Sequence, residues 1–136
     1  MKIYISILVA TLLTAFGVDS ANNQTDFDFQ RILANKAYEL TFDDVIYDPS
    51  YVHIDYPNGD VAPDKGVCTD VVIRAYRKMG IDLQVKVHED MVDNFSLYPN
   101  LWGSTKADSN IDHRRVPNLM KFFERFGNTL AITDNP

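Results

Sequence analysis

Cysteine is nearly absent from this 136-residue chain, which contains only Cys68. A lone cysteine excludes an intramolecular disulfide framework, so its sulfur is a reactive thiol, an intermolecular link or a buried structural group. Positive charge is also scarce, because 13 Lys and Arg stand against 19 Asp and Glu, giving a net charge of −6. This balance disfavours nucleic acid as a partner, since a phosphate backbone attracts basic surfaces.

Histidine occurs only three times, at positions 53, 88 and 113. These residues, the single cysteine and the scattered carboxylates do not show the close pairing of ligands that protein metal sites use. We therefore expect no metal and no other cofactor. His53 and His88 are expected to be surface residues.

The chain has no apolar run of the ~20 residues that a membrane-spanning helix needs. Its longest run, Ile3 to Val18, follows Lys2 and precedes small and polar residues, which is the layout of a secretory signal peptide. We expect cleavage after Ser20, with Ala21 as the alternative, so that residues 21–136 form one exported domain, periplasmic or extracellular, without a stable membrane span. An uncleaved membrane anchor is the alternative.

Hydrophobic periodicity predicts three helices. The first includes Phe29 to Leu40, the second follows Cys68 as far as Gly80, and the third has Pro117 at its first turn and Gly127 past its end. Shorter elements are expected over Tyr51–Tyr56 (strand), Ile81–Val87 (strand or extended link), Val87–Phe95 (helix), Asn110–Arg115 (loop) and Thr129–Ile132 (strand).

Cys68 stands at the start of the second predicted helix. Backbone N–H groups and the positive end of the helix dipole favour a thiolate there. The apolar stripe of this helix is expected to be Val72, Ala75, Tyr76 and Met79. Cys68 lies four residues before Val72, so we expect the sulfur to face the packed side or a cleft. A buried, inert cysteine is the alternative.

Four sequence blocks carry a resemblance to a known family. They are Tyr47–Tyr51 (YDPSY), Asp55–Val61 (DYPNGDV), Gly66–Ala75 (GVCTDVVIRA) and Asn110–Leu119 (NIDHRRVPNL). Together they resemble a bacterial exported family, the domain of unknown function numbered 1287, over about Phe27 to Pro136.

That family is similar to the papain-like, NlpC-type cysteine amidases and peptidases, which cut peptide or amide bonds in bacterial cell walls. The resemblance implies an α+β fold in which the nucleophilic cysteine begins a helix on an antiparallel sheet, with a histidine on a later strand as the base. The family's later strands have no counterpart in this sequence. We therefore expect a helix-rich, truncated domain with most of the sheet absent and an exposed apolar patch, incomplete as an enzyme without a C-terminal, histidine-bearing segment.

The resemblance puts the nucleophile at Cys68. Its thiolate would attack an amide carbonyl to give a thioacyl intermediate, and N–H groups at the helix start would form the oxyanion hole. His113 is the candidate base within this sequence, or else it lines the substrate cleft or is a structural histidine. Asp70 is expected to stabilise the helix N-terminus.

The expected partner is a peptidoglycan stem peptide or another cell-envelope amide. Arg114 and Arg115 are candidates to hold its carboxylates, or else are solvated or paired with Asp112. Asp112 itself is a candidate for the substrate site. Trp102 is a candidate for stacking on a sugar, or it packs under a loop. A non-enzymatic exported module or remnant that binds the cell envelope is the alternative function.

Overall fold

The computed structural model describes residues 25–127. The predicted signal peptide, its cleavage after Ser20 and the predicted strand Thr129–Ile132 lie outside the described residues. The chain divides into two compact units between Asn35 and Lys36. Within the described part, no helix combines the length and apolarity that crossing a membrane requires.

Helix α1 spans residues 25–39, which confirms the first predicted helix. Its part in the first unit carries an exposed ion pair between Arg31 and Asp28, one helical turn apart. Phe29 and Leu33 are half-buried on this segment. In the second unit α1 ends in a 3-10 turn, Leu40–Phe42.

The second unit contains three further helices and a two-stranded parallel sheet among the described residues. The helices are α2 (Cys68–Arg77), α3 (Leu83–Asn94) and α4 (Val116–Phe126), and the strands are β1 (Ile46–Tyr47) and β2 (Lys65–Gly66). Ile46 pairs with Lys65 and Tyr47 with Gly66. Two more 3-10 turns, Phe95–Leu97 and Asp112–Arg114, complete this part of the fold. The expected helix-rich α+β class is therefore confirmed.

The core of the second unit lies between its three helices. It consists of Ile73, Leu83, Val87, Met91, Tyr98, Leu119 and Phe122. The Asp112–Arg114 turn packs against α2, α3 and α4. The expected loop over Asn110–Arg115 is thus a buried junction of the fold.

Two local predictions were wrong. The segment predicted as the strand Tyr51–Tyr56 is a loop, in which the Ile54 N–H donates to Asn110 Oδ1 at 3.0 Å instead of to a neighbouring strand. The predicted extended segment from Ile81 is mostly helical. Helix α3 begins at Leu83 because Asp82 caps it, its Oδ1 accepting the Gln84 N–H at 3.0 Å.

The buried face of α2 agrees with the predicted stripe only in part, since Ala75 is buried and Tyr76 packs against the core. Ile73 and Ala75 are buried, whereas Val72 is 36% exposed and Cys68 is exposed. The reason is that the fold buries two polar residues of this helix, Thr69 and Asp70. With these two side chains inside, the helix cannot also bury the side that carries Cys68 and Val72. The sulfur of Cys68 therefore faces solvent, contrary to the prediction.

Candidate functional site

Cys68 is the first residue of α2 and a free, exposed thiol. Strand β2 leads into the helix, and Asp70 fastens the helix start by accepting the Val67 N–H on its Oδ2 at 2.7 Å. The Asp70 N–H bonds to the Val67 carbonyl at 2.9 Å. The first N–H groups of a helix have no intrahelical acceptor. Those of Cys68 and Thr69 belong to the first turn of α2 and are therefore candidate donors for an oxygen atom bound at the helix start.

A buried ion pair holds this helix start against the Asp112–Arg114 turn. Arg114 Nε and Nη2 donate to the two carboxylate oxygens of Asp70 at 2.9 and 3.0 Å, and both side chains are at most 4% exposed. Thr69 Oγ1 also donates to the Arg114 carbonyl at 2.8 Å. Arg114 was a candidate for binding a substrate carboxylate, or for solvent or Asp112. Its guanidinium instead lies in the interior on Asp70, where it organises the approach to Cys68.

His113 lies inside the fold. It is 2% exposed, and its Nδ1 atom has no hydrogen-bond partner among the described residues. Burial lowers the pKa of His113 to about 4, because the charged imidazolium loses its hydration. No hydrogen bond joins this imidazole to the Cys68 thiol in the part of the chain that the structure describes. His113 is therefore a neutral, interior imidazole at pH 7.

Three of the predicted substrate-binding residues meet in one cleft, which we call the Trp102 cleft. Asp112 and Arg115 are three residues apart across a 3-10 turn, a spacing that aligns side chains on one side. The Arg115 guanidinium carbon lies 4.1 Å from the centre of the Trp102 ring, a cation–π geometry. The cleft has a volume of about 10 Å³ and is lined by these three residues together with Tyr98, Ser104 and Asn118 among others.

The charges in the Trp102 cleft are only loosely paired. Arg115 Nη1 lies 3.4 Å from Asp112 Oδ1 and 3.5 Å from Ser104 Oγ, at the outer limit for hydrogen bonds. The other Asp112 oxygen accepts the Asp108 N–H. Burial is the main cause that raises the pKa of Asp112, since it disfavours the charged carboxylate.

Sequence reasoning missed Asn118, which lines the same cleft. This residue is 1% exposed on α4, and its Nδ2 donates to the Asp112 carbonyl at 3.1 Å. Its Oδ1 has no donor among residues 25–127. A signal was available, because Asn118 interrupts the buried apolar face that contains Leu119 and Phe122. A buried amide in such a place needs hydrogen-bond partners.

Gln84 organises the loops between the site and the core. It is fully buried, and its Nε2 donates to the carbonyls of Asp55 at 2.8 Å and Ser109 at 3.0 Å. Its Oε1 accepts the Gly59 N–H at 2.8 Å. One side chain thus joins the loop that precedes Cys68 to the loop that precedes Asp112.

Asp60 ties the same loop to α2. Its carboxylate accepts hydrogen bonds from Arg74 at 3.0 and 3.2 Å and from Arg77 at 2.9 Å. Arg74 also reaches the carbonyl of Lys65 at 3.0 Å, so the strand that leads to Cys68 is anchored on the helix that Cys68 begins. Within residues 25–127, no three His, Cys, Asp or Glu side chains are grouped so that they could hold a metal ion.

Comparison with known proteins supplies the family. The model of the family described as "Domain of unknown function (DUF1287)" matches residues 34–136. The Uncharacterized protein YijF of Escherichia coli (strain K12) is 43% identical over 139 residues, an alignment that covers 96% of this chain and 68% of YijF. No solved structure matches the chain. The chain belongs to the DUF1287 family.

Proposed function

We propose that this member of the DUF1287 family is an exported cysteine amidase or peptidase that acts on peptide or amide bonds of the bacterial cell wall, with Cys68 as its nucleophile. The observation that carries the proposal is the exposed thiol at the first residue of a ten-residue helix. A buried, bidentate ion pair fixes that helix start. A thiolate there has donors for an oxyanion beside it and open access for a substrate.

In the proposed reaction the Cys68 thiolate attacks the amide carbonyl carbon, and the carbon–nitrogen bond breaks. The nitrogen leaves as an amine after taking up a proton. Water then adds to the thioester, which releases the carboxylic acid and regenerates the thiol. In this proposal the N–H groups of Cys68 and Thr69, at the helix start, bind the oxygen that becomes negative in both steps.

The proposal does not use His113 as the base. An imidazole with a pKa of about 4 holds a proton too weakly at pH 7 to serve as an effective general base. The described geometry favours a structural role for this residue. The three histidines of the given sequence all lie within residues 25–127. As in the papain-like enzymes that the sequence resembles, the proposed base is a histidine on a later strand that the given sequence does not contain.

A specific observation also favours the alternative, a non-enzymatic module that binds the cell envelope. The Trp102 cleft brings a half-exposed indole, a guanidinium and buried polar groups together, and Cys68 is not among its lining residues. Such a cleft can bind a ligand whether or not the thiol reacts. The two functions therefore differ in whether Cys68 is required.

The test uses the protein purified from the cells that produce it. Intact mass is measured first, since loss of the predicted signal peptide lowers the mass from the 15.5 kDa of the given sequence. Purified peptidoglycan is then incubated with the protein and with a Cys68→Ala variant, and released fragments are identified by mass spectrometry. Release that requires Cys68 supports the proposal. Binding to peptidoglycan that survives Cys68→Ala, with no release by either protein, supports the alternative and refutes hydrolysis.

Export is tested separately through the same residue. Cys68 is the only cysteine, so a membrane-impermeant maleimide applied to intact cells reports on one position. We expect one added label on the protein and none on Cys68→Ala. A thiol that reacts only after the cytoplasmic membrane is opened would refute export.

A further inference from the structure

We propose that the Trp102 cleft binds the C-terminal residue of a short peptide, with the carboxylate on Arg115 and the backbone N–H on Asn118 Oδ1. This inference rests on the proposed function for the source of the peptide, which is the cell wall. The chemistry of the ligand comes from the cleft itself: one buried acceptor, one open cation and one aromatic face.

Asn118 supplies the first requirement. Its amide orientation is fixed, because the Asp112 carbonyl is only an acceptor and must face Nδ2. Oδ1 therefore points away from that bond, is buried, and has no donor among the described residues. A buried carbonyl oxygen without a hydrogen-bond partner is unfavourable for the free protein. A ligand that brings an N–H group to Oδ1 supplies that partner.

Arg115 supplies the second requirement. Arg114, its neighbour, makes two short bonds to one carboxylate, whereas the contacts of Arg115 to Asp112 and Ser104 both involve Nη1 and measure at least 3.4 Å. A guanidinium has five N–H donors. The Nε and Nη2 groups of Arg115 make no hydrogen bond among the described residues, so they are the donors that a ligand carboxylate would use. The guanidinium carbon lies 4.1 Å from the centre of the Trp102 ring.

The size of the cleft limits how the ligand enters. A volume of about 10 Å³ admits one group no larger than a water molecule. An N–H group fits that space, while the carbon atoms of the residue remain outside against Trp102, which is 49% exposed. The carboxylate stays at the mouth with Arg115. A C-terminal peptide residue carries both groups on one carbon, which brings them within reach of both partners.

The experiment uses intrinsic fluorescence, because Trp102 is the only tryptophan. N-acetyl-alanyl-alanine is titrated in its L,L and D,D forms against the full chain. We expect a saturable change in Trp102 emission with at least one form. The C-terminal amide, which lacks the carboxylate, should bind at least tenfold more weakly. Saturation by neither form, or equal affinity for acid and amide, would overturn the inference.

The role of Asn118 is tested on the ligand, so that the protein's fold is not disturbed. In the matched ester analogue an oxygen replaces the N–H between the two alanines, which removes the donor and keeps the carboxylate. We expect at least tenfold weaker binding for the ester. Equal binding of amide-linked and ester-linked forms would show that Oδ1 meets only water, and would overturn the assignment.

Two variants complete the design. Arg115→Gln should weaken binding of the acid at least tenfold and leave binding of the C-terminal amide unchanged. Arg31→Gln, an exposed arginine of the first unit, is the matched control and should change neither. Cys68→Ala should bind normally. Binding without any hydrolysis by the natural protein would refute only the proposed function, whereas hydrolysis without peptide-dependent fluorescence would refute only the cleft.

Discussion

His113 should make the stability of this domain depend on pH, and the perturbation that reveals it is His113→Gln. The unfolded imidazole has a pKa of 6.5, whereas burial lowers the pKa of His113 in the folded chain to about 4. Between these values the unfolded chain binds a proton that the folded chain does not. The free energy of unfolding is therefore highest above pH 6.5 and falls as the pH is lowered towards 4.

The expected loss follows from the difference between the two pKa values. A gap of about 2.5 pKa units corresponds to about 3 kcal/mol, at 1.36 kcal/mol for each unit. With a urea dependence of about 1–3 kcal/mol per molar, the unfolding midpoint should move down by about 1–3 M between pH 7 and pH 4. Gln cannot titrate, so the variant lacks this contribution even if the substitution lowers its stability at every pH.

The assay is urea unfolding of the natural protein and of His113→Gln at several pH values from 7 to 4. The quantity to compare is the change in unfolding free energy with pH. Carboxylates such as Asp90, whose pKa is lowered chiefly by the Arg125 guanidinium, also contribute to that change. Their contributions are common to both proteins and cancel in the difference. His53→Gln, at an exposed position, is the matched control and should keep the slope of the natural protein.

Parallel pH profiles for the natural protein and His113→Gln would refute this reasoning. Proton NMR of the imidazole provides an independent check, since the resonance that His113→Gln removes should titrate near pH 4. A midpoint near neutrality would show that the ring is hydrated in solution. It would also return His113 to consideration as the general base.

Two further predictions, each comparing two variants, test how the site is built. Arg114→Met leaves the Asp70 carboxylate buried without its ion-pair partner and should lower the free energy of unfolding in urea by about 3–5 kcal/mol. The double variant Asp70→Leu/Arg114→Met should recover part of that loss, because it removes the unpaired charge but also the Asp70 bond to the Val67 N–H. A double variant no more stable than Arg114→Met would contradict the cost assigned to the unpaired carboxylate. Gly59→Ala places a Cβ atom 1.9 Å from the Asp55 carbonyl oxygen and should cost more than about 2 kcal/mol. Gly80→Ala, with open space around it and a φ of +77°, should cost only about 1–2 kcal/mol, and the reverse order in urea unfolding would contradict the close approach at Gly59.

The helices could be predicted because their signals are local. Pro117 and Gly127 bracket α4 closely, since proline suits a first helical turn and glycine a helix end. The start of α3 carried an equally local signal in Asp82, but Ile81–Val87 reads as extended until that cap is recognised. A helix boundary could thus be predicted where its capping residue was recognised. It was missed where neighbouring β-branched residues suggested an extended segment instead.

The loops could not be predicted in the same way, because distant residues determine their structure. The alternating residues from Tyr51 to Tyr56 are typical of a strand, yet their hydrogen bonds go to side chains far along the sequence. The Ile54 N–H bonds to Asn110, and the Asp55 carbonyl bonds to Gln84. Periodicity carries no information about such partners.

The misplaced face of α2 has the same origin and bears directly on function. Apolar spacing selected Val72 and put Cys68 on the buried side, but Asp70 is drawn inward by Arg114, 44 residues later. The same orientation leaves Val72 and the Cys68 thiol exposed, while Ala75 of the predicted stripe is buried. Within residues 112–115, Arg114 connects to the start of the Cys68 helix through its ion pair with Asp70. Asp112 and Arg115 line the separate Trp102 cleft.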